Sequence, residues 1–72
     1  MKDKQKRRLI CSFCLLSENK ADAIFDKVET LEIAGIFDYE TSVFFRSEAM
    51  SAKSPDELDH LILMIIDTII KL

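Results

Sequence analysis

Glycine and proline each occur once in the 72 residues, as Gly35 and Pro55, and tryptophan does not occur. With one glycine and neither an Asn-Gly nor an Asp-Gly pair, the chain has no good tight hairpin turn, which tells against a hairpin-built sheet. It also lacks a phosphate-cradling Gly loop. The single histidine, His60, rules out an H-E-x-x-H metal site, and Ser, Asp and Lys show no triad pattern. No enzyme and no cofactor are expected. Two cysteines cannot make a disulfide framework, and Cys11 and Cys14 are too close in sequence for a useful staple. A reducing, cytoplasmic setting is the expectation. The longest apolar run, Leu61 to Ile66, is six residues, far short of the ~20 that span a bilayer. No membrane segment is expected. Lys2, Lys4, Lys6, Arg7 and Arg8 before the apolar Leu9 to Leu16 mimic a secretory leader. The one A-x-A match, at Ala21, lies beyond a polar stretch, so no leader is expected.

What is present points to one small domain. Hydrophobic residues make up 49% and charged residues 32%, too apolar for a disordered chain. Ten basic against thirteen acidic residues give a net charge of −3, unevenly placed. Residues 1–8 hold five basic and one acidic residue (+4), and residues 9–72 five basic and twelve acidic (−7). This predicts a flexible basic arm over 1–8 and a single helical domain over 9–72. An acidic body is repelled by phosphate, so a nucleic-acid partner is disfavoured. The arm residues Lys4, Lys6, Arg7 and Arg8 supply the alternative, a nucleic-acid-binding regulator.

The last third of the chain carries the clearest helix signal. Ser54-Pro55-Asp56-Glu57 places Ser at the N-cap, Pro at the first helical position and Glu at N3. From Leu58 to Leu72, ten of fifteen residues are apolar, and they cover more than half the helix circumference. A surface helix needs only a stripe of ~100°. If Leu58, Leu61, Ile62, Ile65 and Ile69 face the chain's own core, then Leu63, Ile66 and Ile70 point elsewhere, at the spacing of a helix–helix seam. These three are the candidate dimer interface. A second helix is predicted over Glu18 to Ala34, capped by Ser17 or Asn19 and stopped by Gly35. Ala21, Ile24, Phe25, Val28 and Leu31 form its apolar face. Asp22, Asp26 and Glu29 form its acidic face and are the candidates for docking a basic partner.

Two stretches read either way. Leu9 to Leu16 is apolar on nearly every side and suits a buried helix or a central strand. Tyr39 to Met50 suits a helix presenting Tyr39, Val43, Phe44, Ser47 and Met50, or a strand over Thr41 to Arg46. The shortage of turns favours an all-α bundle of three or four helices, working as a dimer. The alternative is a β-α-β-α unit whose small sheet is completed by a second chain.

Cys11-Ser12-Phe13-Cys14 is the one constellation with possible chemistry, since two thiolates at this spacing can clasp one edge of a tetrahedral zinc. With Ser17 after them, these residues resemble the first knuckle of the zinc-binding N-terminal domain of ClpX-type unfoldases. In that family a second C-x-x-C completes the site; this chain has none, so the resemblance implies zinc only where two chains each supply a pair. A redox couple is a third reading, poorly matched by the Ser-Phe middle. The expectation is no metal, with both cysteines packed as small core hydrophobes. His60 is expected as a solvated helix residue. Together these observations suggest a small interaction protein (regulator, adaptor or inhibitor) that forms a homodimer and docks onto a partner protein.

Overall fold

The computed structural model describes residues 2–16 and 20–72. Four helices make up the fold: α1 (Asp3–Cys14), α2 (Lys20–Ile33), α3 (Tyr39–Ser51) and α4 (Pro55–Ile70). Among the described residues there is no strand. The chain is an all-α bundle, and the β-α-β-α alternative is overturned, because both ambiguous stretches are helical. α2 packs mainly on α3, α1 packs on α4, and α4 also touches α2 and α3. The most apolar helix is thus the one that meets all the others.

The ends of the helices follow from local chemistry. Ser54 caps α4, its Oγ accepting the Glu57 N–H at 3.3 Å, with Pro55 next. The Glu57 carboxylate reaches back one residue further than a capping box requires, accepting from the Lys53 N–H at 2.5 Å. α2 ends where expected. Gly35 takes φ +79°, its N–H donates to the Glu32 carbonyl at 3.0 Å, and the Ile36 N–H donates to the Leu31 carbonyl at 2.9 Å. That pair of bonds is a Schellman closure, and it needs a left-handed residue that only glycine supplies without strain. The closure turns Ile36 and Phe37 back toward the core. The expected caps of α2, Ser17 and Asn19, lie outside the described residues.

α1 begins at Asp3 rather than after the basic run. Residues 3–8 continue without a break into residues 9–14, so no arm boundary is seen at residue 8. Extending an existing helix costs far less than starting one, and Lys6 also finds a partner, its Nζ donating to the Ile70 carbonyl at 3.3 Å. That carbonyl lies in the last turn of α4, where a helix runs out of intrahelical donors.

The core consists of Phe13 from α1, Ile24, Val28 and Leu31 from α2, and Phe37 from the following turn. Phe45 and Ala49 join it from α3, and Leu61, Ile62, Ile65 and Ile69 from α4. The expected apolar face of α2 holds: Ile24, Val28 and Leu31 are buried, Ala21 and Phe25 half-buried. For α3 the face differs from the expected one. Its buried residues are Ser42, Phe45 and Ala49, while Tyr39, Phe44, Ser47 and Met50 are exposed. Two small residues let α3 approach its neighbours closely, with Phe45 stacked at a tilt on Phe37 at 5.7 Å. Arg46 ties α3 to α2, bonding Glu32 at 3.1 Å and lying over the Phe25 ring at 5.6 Å.

Candidate interaction surfaces

Leu61, Ile62, Ile65 and Ile69 of α4 are buried and Leu58 is partly so, as the helix phase predicts. Of the three residues expected on the second face, Leu63 is 64% and Ile70 57% exposed. Ile66 is not free: it is half-buried and packs against the core cluster. The outer apolar face of α4 therefore narrows to Leu63 and Ile70, with one side of Ile66 between them.

The outer face of α1 has a different character. Leu9, Ile10 and Phe13 set the helix phase by turning inward, which leaves Lys4, Arg7 and Arg8 exposed and Lys6 half-buried. The same phase places Cys11 and Cys14 outside, both as exposed free thiols. Their expected role as core hydrophobes is overturned: Cys11 falls opposite Phe13 and Leu9 on the helix, and Cys14 is the last residue of α1, about a quarter-turn from Phe13. Among the described residues, no three His, Cys, Asp or Glu side chains gather to hold a metal ion. Leu15, just past α1, is 81% exposed beside them.

On α2, Asp22, Asp26 and Glu29 are all exposed in a single row at i, i+4 and i+7. That row is charged but has little apolar surface near it, apart from Ile33 at its far end. His60 is exposed on α4.

One feature was not anticipated. α3 and α4 form an antiparallel pair joined by residues 52–54, and a shallow groove runs between them. Its floor is Phe44, Met64 and the edges of Phe45 and Leu61. Its walls carry Glu40 and Glu48 from α3, and Asp56, Glu57 and Asp67 from α4. Sequence periodicity missed it because the groove depends on which side of α3 faces the core. The repeat Glu40, Phe44, Glu48 at intervals of one turn was the available signal.

Among the described residues, no helix is long and apolar enough to cross a membrane. No protein-family model, no curated protein and no solved structure matches the chain.

Proposed function

We propose that this chain is a small non-enzymatic interaction protein of the reducing cytoplasm, a homodimer joined through the outer face of α4 that docks onto a partner protein. The observation that carries the reading is the pair Leu63 and Ile70, two large aliphatic side chains more than half exposed on the central helix of a very small bundle. Covering what remains exposed of each adds roughly 1–2 kcal/mol, a large gain where total stability is thin. The acidic surface, including Asp22, Asp26 and Glu29, supports a basic partner, since like-charged partners are repelled and opposite ones steered in.

Sedimentation equilibrium tests the dimer. The wild-type chain is expected to sediment as a dimer, and the double variant Leu63→Lys, Ile70→Lys as a folded monomer, because both positions already meet water. A wild-type chain that stays monomeric at high concentration overturns the homodimer.

A further inference from the structure

We infer that the groove between α3 and α4 is a docking site for a basic amphipathic helix of a partner protein. The inference rests on the reading of this chain as an interaction protein, and it names the surface and the chemistry of what the surface takes. Three observations support it. First, the floor is apolar and open: Phe44 is 47% and Met64 36% exposed. Phe44 lies at a tilt on the buried Phe45, with ring centroids 5.6 Å apart.

Second, the charged side chains of the walls are carboxylates, with one imidazole, His60, among them. No Lys or Arg side chain is among the described residues that line the groove. Asp67 is bridged by Lys71 at 2.9 Å and Glu57 by the Lys53 N–H, but Glu40, Glu48 and Asp56 have no ion pair among the described residues. An apolar occupant without cations would desolvate these carboxylates and leave them unpaired, a cost that a Lys- or Arg-flanked stripe avoids.

Third, the shape fits a helix. From Thr41 to Ser51 the groove follows α3 for about 15 Å, some three helical turns. That suits an occupant with anchors at i, i+3 or i+4, and i+7. A second copy is a poor occupant: its cationic helix, α1, spends its apolar side on its own core through Leu9, Ile10 and Phe13. The acidic row of α2 offers the charge without the apolar floor.

The probe is a fluorescein-labelled Leu/Lys peptide of about 14 residues with leucines at i, i+3, i+4 and i+7, titrated against the full chain by anisotropy. Saturable binding of one peptide per chain is expected, weakened about tenfold or more when Glu replaces Lys in the peptide. Glu48→Lys with Asp56→Lys, and separately Phe44→Ser, should each weaken it by a similar factor while circular dichroism stays helical. Asp22→Lys with Asp26→Lys should change it by less than about twofold. Absence of saturable binding, or an equal loss from the α2 variant, overturns the groove assignment. So does a Met64→Lys variant that dissociates a wild-type dimer, because the occupant would then be a second copy. Sedimentation of the same samples keeps the two readings apart: a wild-type chain that is dimeric but binds no peptide counts against the groove alone. A monomeric wild-type chain that still binds peptide counts against the dimer alone.

Discussion

Ser42 sits at the contact between α3 and its neighbours, with no exposed surface, and its Oγ has no hydrogen-bond partner among the described residues. A buried hydroxyl left unpaired costs on the order of 1–3 kcal/mol, while the small volume at this position is what the close helix approach needs. Alanine keeps the volume and removes the orphan oxygen. It is also the better helix former. Ser42→Ala is therefore expected to stabilise the fold by about 1 kcal/mol, raising Tm by roughly 4–8 °C for a chain of this size. Thermal denaturation followed at 222 nm measures it; an unchanged or lowered Tm would mean that the hydroxyl is satisfied by the backbone of the preceding turn.

The helices differ in how plainly the sequence announces them. α2 and α4 combine an apolar period with one explicit end signal each, the stop at Gly35 and the start at Ser54-Pro55, so their existence, those two ends and their buried faces could be read directly. α1 and α3 could not. In α1 the basic run looks like a solvated tail, and cations near a helix N-terminus oppose the macrodipole; only the packing of Leu9, Ile10 and Phe13 and the bond from Lys6 to the Ile70 carbonyl show why the helix extends back. In α3, apolar side chains occur all round, and the residues that choose the face are small ones, Ser42 and Ala49, which hydrophobic periodicity does not register. The exposed pair on α4 followed from an apolar arc too wide for one core, whereas the α3/α4 groove depended on that unreadable phase. α3 does carry one legible signal, its cap. Asp38 accepts the Thr41 N–H at 2.8 Å, and the Thr41 side chain, followed by its backbone N–H, holds the Asp38 carboxyl below the usual value of 3.8. A depressed folded-state pKa means that this stabilisation is present above the ordinary carboxylate pKa and is lost as pH falls through the lower, folded value. Asp38→Asn keeps a capping oxygen but does not titrate in that range. Its midpoint in urea should fall less than that of the wild type between pH 4 and pH 2. Parallel acid limbs would show that the cap does not contribute to acid sensitivity.

At the scale of the whole molecule, the charges are segregated onto different helices, and this sets what a nucleic-acid partner would meet. Four basic side chains, Lys2 at the N-cap of α1 and Lys4, Arg7 and Arg8 within it, are exposed, and Lys6 is drawn toward α4. The rest of the chain, residues 9–72, carries −7. If duplex DNA binds at all, it meets about four cations per chain, so log K against log salt should have a slope no steeper than roughly −3.6 for one chain or −7.2 for two. The acidic body opposes even that contact at low salt; at physiological ionic strength a screening length of about 8 Å, short against the 34 × 23 × 17 Å molecule, weakens the attraction and the repulsion alike. The expected result is weak binding to arbitrary DNA, seen only at low salt and removed by Arg7→Glu with Arg8→Glu. The groove and the α4 face should be unaffected, because neither includes those arginines. Tight binding that survives at physiological salt would require contacts beyond the α1 cations. That outcome would make the nucleic-acid regulator the better reading and leave the acidic surfaces to repel competing strands rather than to recruit a basic helix.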